Sequence, residues 1–363
     1  MIPWAKPHLF GDEKFYLNKV INSSWISGGE YISKLENSVK NKFNIRYAFA
    51  VSNGTAALHL AFLAINLKIN DEIIVPGFGY MAAANIAKLM NLKVKFSDVN
   101  KNTFCIDLDS LKKIISKKTK AVVIINTYGN MQDVFLIKEF LKKKNIILIE
   151  DAAESFGTKH YGKYSGTIGD IGTFSFHATK NIVTGEGGMV ITNNKIFAKK
   201  IYMYRSHGVI KERYMHFVHG HNFRLTNLQA AIGYSQFKKI DKIFHKRQLI
   251  YKWYCQYLNK NDMHLQHIPE RTSFLPWTLA VLLKNKKNIQ KKVFNNLLSK
   301  GIEVRKGFYS ANRMKIFNKP DLKNSIKVSD FLSKNIICLP IFFEMNKKQV
   351  RYVSYVFNKL IKN

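Results

Sequence analysis

The chain has 363 residues, enough for about two domains, and its 46% hydrophobic content excludes a chain disordered throughout. Its formal net charge is +34, from 58 Lys+Arg against 24 Asp+Glu. Only nine of those basic residues are Arg, the lysines run along the whole chain, and Asn and Ile are abundant, so the charge reads as compositional drift rather than a nucleic-acid surface, although a positive field favours a small substrate bearing a diphosphate.

Residues 48–51 form a short predicted strand running into Ser52-Asn53-Gly54-Thr55, and 56–67 reads as a helix apolar on most faces. A buried strand at 72–75 closes at Pro76-Gly77 and precedes a helix at 81–90. Strands at 93–96 and 121–126 flank a helix at 108–115. A helix at 135–144 leads to the apolar strand 146–150, and 173–176 and 189–192 are further strands. Alternating strands and helices predict βαβ units, an α/β large domain over 1–240 and a mostly parallel sheet covered on both faces. The pattern turns helical at 222–233, and a Lys-rich helix at about 235–258 leads into a smaller α+β domain over 241–363. There 277–283 and 302–305 read as strands, and 289–298 and 347–361 as helices, with Gly301 as a helix terminator.

Cys105, Cys255 and Cys338 lie far apart, with no CxxC or CxxH spacing, so the expectation is buried free thiols in a reducing cytoplasm, without zinc or disulfides. Residues 1–15 lack a basic stretch followed by an apolar one, and no run of about 18 apolar residues occurs. Neither a signal peptide nor a membrane span is expected.

Chemistry concentrates where predicted strands end. Lys180 sits between two apolar strands and the glycine cluster Gly185-Glu-Gly-Gly188. Strand ends of an open α/β sheet form its ligand crevice. Burial there lowers an amine's pKa and makes it nucleophilic towards an aldehyde. Asp151 closes the apolar strand and calls for a cationic partner, such as a protonated pyridine nitrogen. A metal carboxylate and a plain strand-end acid are the alternatives. Gly54 and Thr55 open a helix whose free N–H groups suit a phosphate, to which Ser175 can add a hydroxyl, or they form a simple N-cap. Tyr80 follows another strand end, as a ring-stacking aromatic or an ordinary surface one. The Gly185–Gly188 cluster lacks GxGxxG spacing and leads into a strand, so it is no dinucleotide fingerprint.

Several motifs in order resemble the DegT/DnrJ/EryC1/StrS family of sugar aminotransferases. They are Trp25-Ile-Ser-Gly-Gly, Ser52-Asn-Gly-Thr, Asp71-Glu-Ile-Ile-Val-Pro76, Tyr128-Gly129-Asn130, Glu150-Asp-Ala-Ala153, Phe174-Ser-Phe-His-Ala-Thr-Lys180, Gly185-Glu-Gly-Gly188 and Asn222-Phe-Arg-Leu-Thr-Asn-Leu-Gln-Ala-Ala231. The resemblance implies a fold-type-I enzyme of pyridoxal 5'-phosphate (PLP), with pyridoxamine 5'-phosphate (PMP) as the amino form. It implies a homodimer with shared active sites. Lys180 is then the Schiff-base lysine, Asp151 the partner of the pyridine nitrogen, and Tyr80 the stacking ring. Gly54, Thr55 and Ser175 hold the phosphate, Glu154 lies near the cofactor hydroxyl, and Asn222 reaches the partner subunit's cofactor. His221 stands where relatives carry an aromatic residue. Glu154, Trp25-Ile-Ser and Gly185-Glu-Gly-Gly resemble the perosamine-synthase branch, whereas His177-Ala-Thr is similar to other 4-aminotransferases. Dehydratases of the family carry His in place of the lysine. The implied reaction moves an amino group from L-glutamate to a nucleotide-linked keto sugar, foremost a 4-keto-6-deoxyhexose, for surface glycan synthesis. A dTDP- or UDP-linked 4- or 3-amino sugar and a catalytically weak PLP-binding regulator are the alternatives. Substrate contacts are implied on loops from both subunits, including 307–319.

Overall fold

Seven short strands pair into one sheet. They are β1 (Tyr47–Val51), β2 (Glu72–Pro76), β3 (Lys93–Ser97), β4 (Thr119–Ile125), β5 (Ile147–Asp151), β6 (Ile171–Ser175) and β7 (Gly188–Thr192), in the order β1-β7-β6-β5-β4-β2-β3. Every pairing is parallel except those of β7, which runs against both β1 and β6. The computed structural model describes residues 1–210, 212, 214–284, 289–318 and 320–362.

The apolar runs follow from burial on both faces. Alternate residues of one strand serve opposite cores. Ile73, Val75, Val123 and Ile149 pack with helices Gly54–Ala64 and Ala82–Leu89. Ile74, Val122, Ile124 and Leu148 pack with helices Leu108–Ile114 and Val134–Lys142. The expected α/β architecture with a mostly parallel, doubly covered sheet is therefore what the chain adopts.

A second sheet is wholly antiparallel, with Met263–Leu265, Leu279–Leu283, Ile336–Leu339 and Arg305–Lys306 side by side. Helices Ile240–Tyr257, Ile289–Ser299 and Lys347–Lys362 share its apolar core. The last helix buries Val350, Val353, Phe357 and Ile361, an i, i+3/i+4 stripe.

Several expected boundaries move, each for a local reason. The helix expected at 56–67 spans Gly54–Ala64, because Asn66 turns left-handed at φ 61°. The helix expected from 222 begins at Asn227. Residues before it are drawn into extended pairing by a Val51–Arg224 bridge and the Ser52 N–H bond to the Phe223 carbonyl. Thr226 and Gln229 then form a reciprocal capping box. The single helix expected at 235–258 is two, Asn227–Lys238 and Ile240–Tyr257. The Lys239 N–H reaches only three residues back, to Gln236. The strand expected at 302–305 shrinks to Arg305–Lys306, while Ile302 bridges Ile2 in parallel. The strand expected from 277 starts at Leu279, which leaves Trp277 outside the ladder.

Two N-terminal helices, Asp12–Ser23 and Glu30–Phe43, were not among the expected elements. The second buries Tyr31, Leu35, Val39 and Phe43, four residues apart on one face.

Candidate active site

Strand register fixes the site. Val51 at the end of β1 lies opposite Gly188, and Gly188 opposite Ser175 at the end of β6. Asp151 at the end of β5 lies beside Thr173 of β6. Three parallel strands therefore end along one edge. The loop from β6 to β7 returns to the same edge because β7 is antiparallel, and Lys180 is on that loop. A cleft of about 870 Å³ opens there. Seven of the eight expected residues line it: Gly54, Thr55, Tyr80, Asp151, Glu154, Ser175 and Lys180. Asn222 does not. It is exposed, and its Oδ1 accepts the Arg224 Nε–H at 3.0 Å.

The phosphate corner is built from Asn53, Gly54 and Ser175. Asn53 caps the helix, its side chain accepting the Ala56 N–H at 2.8 Å. The first intrahelical bond runs from Ala57 to Asn53, so the Gly54 and Thr55 N–H groups precede the ladder. Helix Gly54–Ala64 thus aims free donors and its positive end at the cleft. A Cβ on Gly54 would stand 2.9 Å from the Ser175 Cβ, so glycine is what lets the two segments meet.

The neighbouring acids Glu150 and Asp151 have different tasks, because side chains of a strand alternate. Glu150 turns away, and its buried carboxylate accepts the N–H groups of Gly166 at 2.9 Å and Ile168 at 2.8 Å. It anchors a loop. Asp151 faces the cleft, and among the described residues its carboxylate accepts only the Ala153 N–H, at 3.1 Å. Burial pushes this carboxyl up to about 6, against the pull of the Ala153 N–H and of Lys180. Glu154 accepts the Tyr128 N–H at 2.7 Å, which holds Tyr128 at the left-handed φ of 58°. Burial pushes Glu154 up to about 7, with Lys180 again opposing. The Lys180 amine is itself shifted down by burial, while Glu154 and Asp151 favour its ammonium form.

The far wall is aromatic, and Trp277 was not among the expected site residues. Trp277 Nε1–H donates to the Thr179 carbonyl at 2.8 Å, and the Lys180 Nζ lies 3.7 Å from the indole centroid. Tyr128 and Phe308 stack at 3° and 5.1 Å. Of the 307–319 stretch, Phe308 lines the cleft, while Lys319 lies outside the described residues. Asn227, from another motif, is structural. It accepts the Tyr31 N–H at 3.0 Å and donates to the Trp25 carbonyl at 2.7 Å, joining two of the sequence motifs.

The donor set suits PLP: an amine for its carbonyl carbon, a buried acid for its ring nitrogen, and free N–H groups for its phosphate. Among the described residues no cluster of His, Cys, Asp or Glu is arranged for a metal, so the metal reading of Asp151 gains no support.

The Glu154 shift carries a stability prediction. Its folded value lies above the ordinary 4.5, so the folded chain binds this proton more tightly than the unfolded one. The cost of burying the charge is full above about pH 7 and fades as pH falls towards the unfolded value. Glu154→Gln keeps an acceptor for the Tyr128 N–H and removes the charge. The cofactor-free variant is expected to exceed wild type by about 3 kcal/mol near pH 8 and by less than about 1 kcal/mol near pH 5. Denaturant unfolding at both pH values checks this, and an equal difference at both would refute it.

A desolvated lysine, a buried acid and a phosphate corner on one edge of a parallel sheet define a lysine-centred enzyme of carbonyl and amine chemistry. Residues 9–358 match the DegT/DnrJ/EryC1/StrS aminotransferase family. The GDP-perosamine synthase of Escherichia coli O157:H7 is 36% identical over 360 residues, covering 99% of this chain and 98% of the relative. That of Vibrio cholerae is 34% identical, covering 97% of each. An Escherichia coli GDP-4-keto-6-deoxy-D-mannose-3-dehydratase solved with hydrated PLP superposes with a TM-score of 0.89 at 25% identity, over 98% of this chain and 99% of that one. The chain belongs to the DegT/DnrJ/EryC1/StrS aminotransferase family. It is a PLP-dependent aminotransferase.

Proposed function

We propose that the protein transfers the amino group of L-glutamate to a GDP-linked 4-keto-6-deoxyhexose, yielding a perosamine-type amino sugar for a surface glycan. The observation that carries this is the conjunction of Lys180, Asp151 and Glu154 on one cleft, in a chain 36% identical to a GDP-perosamine synthase over nearly its full length. The protein works in the cytoplasm as a homodimer, with Asn222 of each subunit turned towards the other's cofactor. The exposure of Asn222, outside its own cleft, supports that role. The chain divides into 1–240 and 241–363, a boundary supported by the break at Lys239 between two helices.

When bound, PLP supplies an electron sink that stabilises negative charge on the carbon losing a proton. Lys180 would hold the cofactor's carbonyl carbon, the Gly54 and Thr55 N–H groups with the Ser175 hydroxyl would hold its phosphate, and Tyr80 would lie against its ring. Asp151 would keep the ring nitrogen protonated. The freed Lys180 amine takes the α-proton of the donor and returns a proton to the sugar carbon that gains nitrogen, as a general acid–base with a lowered pKa. Trp277 and Phe308 shield the reacting edge from water.

The test supplies the enzyme with L-glutamate labelled with ¹⁵N and with GDP-, dTDP- and UDP-linked 4-keto and 3-keto sugars, and follows label by mass spectrometry. Label entering the GDP-linked 4-keto sugar fastest is the expected result. Faster transfer to a dTDP- or UDP-linked sugar would replace the nucleotide assignment, and no transfer to any would overturn the reading.

A further inference from the structure

We infer that Trp277 is a positioning residue for Lys180, its indole face holding the lysine amine and strengthening that amine's hold on a proton. The inference deepens the transaminase reading and rests on it for its consequence in turnover.

The geometry carries it. The Lys180 Nζ lies 3.7 Å from the indole centroid, well within cation–π range. The indole is fixed on several sides. Its Nε1–H is bonded to the carbonyl of Thr179, the residue next to the lysine. Its backbone N–H donates to the Tyr128 carbonyl at 3.3 Å. Its own carbonyl accepts from the buried Arg247 guanidinium at 3.0 Å, and the Pro276 carbonyl from the same nitrogen at 3.3 Å. Trp4 meets the ring edge-on at 5.5 Å, and Phe308 lies nearly parallel to it at 6.4 Å. An arginine that holds two carbonyls from within the protein is an expensive way to place one loop, and Trp277 is what that loop presents to the cleft.

The ring suits a moving amine. The other titratable groups lining the cleft are Asp151, Glu154, His59, His177, Glu186 and Arg305, with Tyr80 at the mouth. Of these, Asp151 and Glu154 favour the ammonium form of Lys180 and burial opposes them. An ion pair would clamp the amine, whereas a π face attracts the ammonium without a fixed hydrogen-bond direction and releases the neutral amine. Trp277 therefore marks where the lysine rests between its proton transfers. Because the indole precedes strand Leu279–Leu283 of the second sheet, the lysine's proton affinity depends on contact between the two sheets.

The test compares wild type with Trp277→Leu, Trp277→Met and Trp277→Phe. Each full-length protein is loaded with added pyridoxamine 5'-phosphate, which leaves Lys180 free, and is labelled with acetic anhydride across a pH series. Peptide mass spectrometry gives the pH midpoint of Lys180 labelling. Midpoints are compared rather than rates, because a smaller side chain also admits reagent. Leu and Met, which lack a π face, are expected to lower the midpoint by about one unit, a tenfold change in proton affinity. Phe, which keeps a face but loses the N–H, is expected to stay near wild type. A wild-type midpoint in Leu or Met overturns the inference, and so does a Phe midpoint as low as theirs, which would assign the effect to the N–H bond. Met stands in if Leu does not fold. The readout needs no turnover, so failure of the sugar assay and failure of this inference are distinguishable.

Discussion

Lys180→Ala is expected to lose turnover by about 10⁴-fold or more, while keeping its fold. The variant removes the amine proposed to hold the cofactor's carbonyl carbon, the only lysine amine among the described residues that line the cleft. Among the described residues the Lys180 amine makes no hydrogen bond, resting on an indole near Asp151 and Glu154. The loop keeps its backbone bonds, including Lys180 N–H to His177 O at 2.8 Å and Ala178 N–H to Gly185 O at 2.9 Å. Lys180→Arg should be as inactive. A guanidinium keeps the positive charge but does not deprotonate, so it can neither attack a carbonyl nor accept a proton. Wild type should absorb in the visible with PLP, and both variants should lose that band while unfolding at a similar temperature. Activity above a tenth of wild type in either variant would remove Lys180 from the chemistry.

Asp151→Asn should cost about 10²–10³-fold in kcat, with a smaller effect on cofactor affinity. The amide keeps the size of the side chain and an oxygen for the Ala153 N–H, so the strand end is undisturbed. What goes is the charge. A neutral amide cannot hold a proton on the ring nitrogen, and without that proton the ring is a poorer sink for electrons. Burial, opposed by the Ala153 N–H and Lys180, holds this carboxyl near 6. A protonated ring nitrogen beside it favours the carboxylate and draws the value lower. The cofactor-free protein should therefore titrate this group near 6, and the loaded enzyme should keep its activity below that pH. Single-turnover kinetics with glutamate across pH would show this. Unchanged kcat in Asp151→Asn would return Asp151 to the ordinary strand-end acids.

The sheet and the residues at its edge were legible in the sequence because buried parallel strands are short apolar runs and their ends are punctuated. Asp151, Lys180 and Gly54 each follow such a run. Trp277 was not legible. Its neighbours read as a strand, and its indole meets Lys180 only because the chain folds back across nearly a hundred positions. The helix expected at 222 shows a different limit. Asn222–Leu225 have no strong preference, and the pairing with Val51 and Ser52 decides their shape from far away in the sequence. The true start was marked by the Thr226–Gln229 box, a local signal overshadowed by the apolar pattern. The helix Glu30–Phe43 carried a clear four-residue period and went unread.

The cleft draws its lining from Trp4, from the turn before helix Gly54–Ala64, from the ends of β5 and β6, and from Trp277 and Phe308. No contiguous fragment holds more than a corner of it. Sites assembled from remote stretches form late, since distant segments must meet before their contacts stabilise them. The ligand then has affinity only for the finished chain and drags the equilibrium towards it by mass action. Colour from bound PLP becomes a gauge of completed folding. A refolding chain should regain its helical signal first and its yellow last, and scarcity of the vitamin should reduce the amount of protein as well as its activity.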